Sequence, residues 1–322
     1  RGCSEDNPYA FQDHYFNNTQ PENVAFMEDI RALMDKYPDV VTLGEISSED
    51  SLLTMSQYTK GDKRLHMAYS FELLTQDSSP AYIRHTIEEL EANLSDGWPC
   101  WAIGNHDVPR VATRWGKKNL QTPNLAQAKM FNAMLASLRG SVCSYQGEEL
   151  GLAEAEIEFE QLQDPYGIAF WPKFKGRDGC RTPMPWTVVD KNAGFSEAEK
   201  TWLPVVNSQQ QSAVFNQSKQ ADSVLTHYQT FMHWRKTVPA LQYGEIEFID
   251  APEQILAFTR RYQNETILCC FNFSEQEQRL HIASNINITP TQGHGFDEVV
   301  QDKDKVILSS FAAVFYTVKF DD

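Results

Sequence analysis

The sequence predicts an α/β chain in two parts: a parallel sheet flanked by helices over residues 1–238 and an all-β antiparallel sandwich over 239–322. Three observations carry this. Short β-branched apolar runs alternate with stretches of helical periodicity before residue 238, the pattern of a mostly parallel sheet buried between helices. Beyond Pro239 the helical period gives way to short strand-like runs divided by polar and Asn-containing turns. Within the first part, residues 146–222 are too extended for a plain connection and are expected to be a functional excursion at the open end of the sheet.

Over residues 19–37, Phe26, Ile30, Leu33 and Tyr37 recur at helical spacing, and Thr19 with Glu22 makes a capping box. Pro38 stops the helix, and Val40, Val41, Thr42 and Leu43 read as a strand buried on both faces, ending at Gly44-Glu45. A helix over 50–58, a strand over 65–71 and a helix over 80–94 follow, the last capped by Ser79 with Pro80 in its first turn. The alternation continues with a strand at 100–104, a helix at 125–138 capped by Asn124, a strand at 141–145 and, after the excursion, a helix at 223–238. Strand-like runs at 245–249, 254–262, 266–273, 278–283, 305–310 and 312–319 build the sandwich. Four strand-helix units suit a doubly wound sheet or half of an eight-stranded barrel. The opening Arg1-Gly2-Cys3-Ser4-Glu5-Asp6 does not resemble the start of a domain, so a preceding segment is expected.

With 28 Lys plus Arg against 44 Asp plus Glu, the net charge of −16 repels phosphate backbones and anionic lipid. Neither nucleic acid nor a membrane surface is expected as a partner, and no apolar stretch approaches the ~20 residues of a membrane span. The six cysteines show no CxxC pair, and four sit in or beside apolar strand-like runs. Buried free thiols are therefore expected over a disulfide framework, which points to a reducing, cytoplasmic compartment.

In parallel α/β architectures the functional side chains come from the C-terminal ends of strands. The first strand ends in Leu43-Gly44-Glu45-Ile46 and the third in Gly104-Asn105-His106-Asp107. Beside Leu43 and Ile46, Glu45 is expected to lose hydration, which raises its pKa and suits it to donate a proton near neutral pH. The plainer alternative is a hydrogen-bonding Glu at a helix start. His106-Asp107 could instead cap a helix or bind a metal, but adjacent residues on an extended chain point opposite ways and no third ligand lies nearby. Two acids and a His converging on one open face, with Arg110 and Arg114 just behind, fit transfer chemistry on a neutral polyol, and glycosidic cleavage leads. Trp98, Trp101, Trp115, Phe170, Trp171 and Trp186 offer flat faces for sugar rings. Half or more are expected in the core, leaving Trp171 and Trp186, in the excursion, as aglycone-side candidates.

At these residues the sequence resembles the α-amylase superfamily, glycoside hydrolase family thirteen, and within it the bacterial α-glucosidase and oligoglucosidase branch. Val41-Thr42-Leu43-Gly44-Glu45-Ile46 is similar to the fifth-strand acid/base motif and Gly104-Asn105-His106-Asp107 to the seventh-strand motif. Ser144-Tyr145-Gln146-Gly147-Glu148-Glu149-Leu150-Gly151 is similar to the eighth-strand motif. Asn7-Pro8-Tyr9, Met67-Ala68-Tyr69-Ser70-Phe71, the run from Arg110 to Gly116 and the run from Arg177 to Trp186 add further support in the right order.

The resemblance implies strands five to eight of a (β/α)8 TIM barrel followed by the all-β domain. It also implies a retaining α-glucosidase acting on the non-reducing end of short α-glucosides, with no cofactor. Glu45 would protonate the leaving oxygen and later activate water, Asp107 would stabilise the oxocarbenium-like state and hold sugar hydroxyls with His106, and Arg110 would orient the pocket. A retaining enzyme also needs a carboxylate nucleophile about 5–5.5 Å from the acid. In the family it sits in a Gly-Phe-Arg-x-Asp motif, and no such segment occurs in these residues. The first-strand Asn-His motif and the calcium-binding loop are absent as well. The chain is therefore not expected to turn over by itself, and it should pair with the missing N-terminal half or with a second copy. Two other readings remain: a non-catalytic sugar-binding or assembly module that keeps the fold, and transfer of glucose to an acceptor in place of hydrolysis.

Overall fold

A computed structural model of the chain describes residues 14–94, 96–116, 124–283, 286–297, 300–302 and 304–320. The Arg1 to Asp6 opening, Cys3 within it, and Asn7-Pro8-Tyr9 lie outside the described residues. The chain forms two compact units. The first comprises the described residues up to Thr75 with His85–Ala102 and Gly140–Cys143; the second comprises Gln76–Arg84, the described residues between Ile103 and Arg139, and those from Ser144 onward.

The first unit holds strands β1 (Leu43–Ile46), β2 (Met67–Ser70), β3 (Cys100–Trp101) and β4 (Ser141–Val142). β1 pairs with β2 and β3 with β4, both parallel, and a parallel bridge from Ala68 to Pro99 joins the two pairs. This unit also holds α1 (Asn23–Met34), α2 (Ser51–Thr59) and, from His85 onward, α3 (Pro80–Asn93), while α4 (Val111–Arg114) and α5 (Leu125–Ser137) lie in the second unit. The side chains of Asp50, Ser79 and Asn124 accept from the backbone N–H groups of Leu53, Tyr82 and Gln127, the first-turn donors that a helix leaves unpaired.

Two sequence expectations are corrected here. Thr19 does not cap α1: it stands at φ 56° and its hydroxyl donates to Asn18, while the helix starts at Asn23 behind Glu22 with no side-chain cap. The run Val40 to Leu43 is not a strand buried on both faces, because β1 begins only at Leu43 and pairs with β2 alone among the described residues. Val41 is 61% exposed and Leu43 46%, and α1 buries none of its side chains, with Phe26 58% exposed.

In the second unit α6 (Pro165–Phe170), α7 (Asn207–Gln210) and α8 (Val214–Gln217) punctuate the long excursion. α9 (Val224–Arg235) then starts at Ser223, whose hydroxyl accepts from Thr226 N–H, and α10 (Pro239–Tyr243) follows. The remaining strands are β5 (Glu245–Phe248), β6 (Ile255–Tyr262), β7 (Glu265–Asn272), β8 (Gln278–His281), β9 (Ile286–Pro290), β10 (Val300–Asp302), β11 (Lys305–Leu308) and β12 (Ala313–Phe320). They form an antiparallel five-stranded sheet ordered β5-β6-β7-β12-β9 and a three-stranded sheet ordered β10-β11-β8.

Leu268, Cys270 and Tyr316 from the larger sheet meet Leu280, Val306 and Leu308 from the smaller in one apolar cluster. On the opposite face of the larger sheet, Phe258, Phe271 and Phe315 pack against one another, and Phe315 lies 5.4 Å from Phe231 and 5.0 Å from Trp234 on α9. β7 is covered on both faces, which is why residues 266–273 read as a continuous apolar run. Among the described residues no helix is long and apolar enough to cross a membrane. The five described cysteines are free, with Cys143 half-buried and the other four buried.

Candidate active site

Glu45 lies on β1 of the first unit, in register with Tyr69 on β2, and the Tyr69 hydroxyl donates to its Oε2. The dehydration expected from its neighbours is not provided: Glu45 is exposed, and of Leu43 and Ile46 only Ile46 is buried. Parallel register alone therefore orients this carboxylate, since strand pairing sets Glu45 and Tyr69 side by side on one face. On the adjacent strands of the same unit the Cys143 thiol is lowered to about 7, chiefly through its hydrogen bond with Cys100.

In the second unit Asp107 sits at a sharp bend. Its backbone N–H donates to Asn105 Oδ1 at 2.8 Å, an Asx turn that brings His106 Nε2 to 3.6 Å from Asp107 Oδ1. That turn removes the objection that neighbouring side chains diverge. Two arginines converge on the same carboxylate oxygen, Arg177 through Nη1 at 3.0 Å and Arg181 through Nη2 at 2.8 Å. Arg181 Nε also donates to the His106 carbonyl at 2.7 Å, so one guanidinium ties both residues of the pair. Asp107 keeps 26% of its side chain exposed and His106 55%, which leaves the face open to a solute.

Arg177 is itself held from behind. Asp164, with a fully buried side chain, accepts from Arg177 Nε at 2.8 Å, from Nη2 at 3.0 Å and from the backbone N–H at 2.9 Å. The guanidinium drives the Asp164 carboxyl down to about 2. Removing it by Asp164→Ala is expected to cost about 3 kcal/mol, the low end for a broken buried pair, because Arg177 is 28% exposed and keeps Asp107. Because the folded value is depressed, the contribution is present above about pH 4 and is lost as pH falls toward 2. Urea midpoints from pH 7 to pH 3 should fall less steeply in the variant than in the parent.

Arg110 and Arg114, read as substrate-binding residues just behind the acids, stand buried as braces beneath the turn. They are 4% and 7% exposed. Arg110 Nη1 donates to the Gln146 carbonyl at 2.6 Å, and its backbone N–H donates to Glu154 at 2.8 Å. Arg114 donates to the carbonyls of Pro109 and Ile103, and burial lowers its pKa to about 10. Trp171 is half-buried, packed 5.6 Å from Phe159 and against Ala155, Ile157 and Leu162. Trp186 is 48% exposed and keeps an open face, whereas Trp101 and Trp115 are buried.

Three carboxylates, Glu148 and Glu149 of the eighth-strand motif and Glu154 beyond it, carry no role in the sequence reading. Glu148 is buried beneath Gly104, where a Cβ would collide with its Oε1, so any larger residue there must displace the carboxyl group. Its Oε2 accepts from Tyr145 N–H at 3.1 Å and its Oε1 has no partner. Burial raises Glu148 to about 8 and Glu154 to about 7, and it raises Glu149 as well. A raised folded-state value means that stability falls as pH climbs from about 4.5 through the folded values, because the unfolded chain releases those protons first. Melting temperatures are expected to decline from pH 5 to pH 9, and Glu148→Gln should flatten that decline. Arg177 and Arg181 lay within a motif already singled out, and their four-residue spacing around Asp178 was the available signal. Among the described residues no group of three or more His, Cys, Asp or Glu side chains is arranged to hold a metal ion.

Residues 3–244 match the family model for the α-amylase catalytic domain, and residues 246–304 match that for the maltogenic amylase C-terminal domain. A probable α-glucosidase of Rhizobium meliloti (strain 1021) is 42% identical over 311 residues, covering 96% of this chain and 55% of the relative. An oligo-1,6-glucosidase of Halalkalibacterium halodurans is 28% identical, covering 83% of this chain and 52% of the relative. The crystal structure of the α-glucosyl transfer enzyme XgtA superposes with a TM-score of 0.92 at 52% identity, covering 98% of this chain and 58% of that one. The chain thus spans little more than half the length of these relatives.

Proposed function

The chain belongs to the α-amylase family, and we propose that it carries the acid/base and the charge-stabilising residue of a retaining α-glucosidase. The substrates are short α-glucosides, cleaved from the non-reducing end. The observation that carries this reading is the arrangement at Asp107: a carboxylate clamped by Arg177 and Arg181, beside His106, with an open face. A carboxylate held in this way accepts hydrogen bonds from sugar hydroxyls and faces the positive charge that develops at the anomeric carbon. Glu45 is the proton donor to the leaving oxygen, and its bond from the Tyr69 hydroxyl orients it.

The nucleophile is supplied by a segment other than these residues, since no Gly-Phe-Arg-x-Asp motif occurs among them. The remaining length of the relatives supports this. So do the exposed Phe26, Leu33, Val41 and Leu43 of the first unit, apolar side chains of the kind a partner covers. We place the barrel strands of this chain as the fifth to eighth of an eight-stranded barrel completed by that segment. A cytoplasmic setting accords with the five free thiols.

The test is release of glucose from maltose or isomaltose by the chain alone and after addition of a nucleophile-bearing barrel segment from a relative. Release only in the mixture is expected; no gain in the mixture would overturn the reading. Because one relative is described as an α-glucosyl transfer enzyme, the products should be resolved into free glucose and lengthened glucosides.

A further inference from the structure

The long excursion, expected to be functional, contains a second feature that the catalytic reading does not use. A cleft of about 350 Å³ lies wholly within residues 161–210 of the second unit. Its volume is at the lower end of small-molecule sites. Trp202 lines it and is 76% exposed, an unusual cost for an indole unless a ligand or partner covers it.

Four of the polar lining residues are amides, beside Thr201, Glu199 and Lys200. Gln210 spends its Nε2 on the Val188 carbonyl at 2.7 Å, and Asn192 spends its Nδ2 on the carbonyls of Ser196 and Ala198, at 2.9 and 2.8 Å. Each therefore presents a fixed carbonyl oxygen as acceptor. The side-chain amides of Gln161 and Gln163 make no hydrogen bond among the described residues and can supply both donors and acceptors. Glu199 and Lys200 balance each other in formal charge.

The cleft wall is also preorganised. Asn192 and Ala193 both stand at left-handed φ, 50° and 53°, where non-glycine residues are disfavoured. The Ala193 carbonyl is pinned there by the N–H groups of Trp186 and Thr187, each at 2.9 Å.

We propose that this cleft is a binding site for a neutral glycan, one or two hexose units long, separate from the catalytic residues. A hexose matches each part of it: an apolar C–H face for the Trp202 indole, and paired hydroxyls for amides that both give and accept hydrogen bonds. A charged ligand would leave a surplus charge in a lining whose own charges cancel. The site deepens the chain's part in glycan chemistry without depending on turnover, since it is read by binding.

The test uses the whole chain with maltotriose and isomaltotriose, measured by titration calorimetry and by saturation-transfer NMR. Binding is expected in the parent and in Asp107→Asn, while Trp202→Ala should weaken it at least about tenfold. Trp202→Tyr, which restores an aromatic face, should recover most of the loss. Gln163→Ala should weaken binding with an unchanged circular dichroism spectrum, because that side chain has no hydrogen-bond partner among the described residues to lose. The inference is overturned by no detectable binding up to tens of millimolar sugar, or by binding that Trp202→Ala leaves unchanged. Loss of binding in Asp107→Asn with retention in Trp202→Ala would assign the sugar to the catalytic residues and would also overturn it.

Discussion

Glu45→Gln is expected to lower glucose release from maltose by about 10²–10⁴-fold in a preparation that also contains the nucleophile-bearing segment. The substitution keeps the shape of the side chain and its acceptor for the Tyr69 hydroxyl, but removes the proton that the leaving oxygen needs. Because Glu45 is exposed, the chain should fold as before and its melting temperature should stay within a degree or two of the parent. A rate within a few-fold of the parent would remove Glu45 from the chemistry.

Asp107→Asn is expected to cost about 10²–10³-fold, in kcat more than in KM, because the charge it removes faces the transition state more than the ground state. Arg177 retains Asp164 as its partner in the variant, so the scaffold survives. Stability should change little, since Asp107 is 26% exposed and solvent-accessible ion pairs contribute about 0–1 kcal/mol. An increase in KM with kcat intact would instead make Asp107 a ground-state binding residue.

Much of the fold was legible because local signals and tertiary packing agree. The caps at Ser79, Asn124 and Ser223 and the runs that became β6, β7 and β12 belong to elements whose apolar faces are buried within this chain. The misreadings fall where that agreement fails. At Thr19 the capping-box spacing was present, but the residue adopts left-handed φ and bonds Asn18 instead. Val40 to Leu43 has the composition of a buried strand, yet the described residues cover only one of its edges. Composition reports what a segment can bury, whereas exposure depends on which neighbours are present.

The site was legible only in part, for a similar reason. Asp107 and His106 stood out because they follow a strand-like run, but their bend depends on Asn105, a side-chain-to-backbone bond invisible to periodicity. Arg110 and Arg114 looked like substrate ligands because a charge beside a candidate site suggests contact. Their guanidinia donate instead to the carbonyls of Gln146, Pro109 and Ile103, and it is Arg177 and Arg181, about seventy residues away in sequence, that meet the carboxylate.

The division of labour between Glu45 and Asp107 is tested most directly by a series of α-glucosides with leaving groups of decreasing basicity, from a sugar alcohol to a dinitrophenolate. A good leaving group departs without a proton, so the deficit of Glu45→Gln in kcat/KM, which reports the step that expels the leaving group, should shrink toward the parent value along the series, while that of Asp107→Asn stays constant. A deficit in Glu45→Gln that is the same for every leaving group would contradict the account.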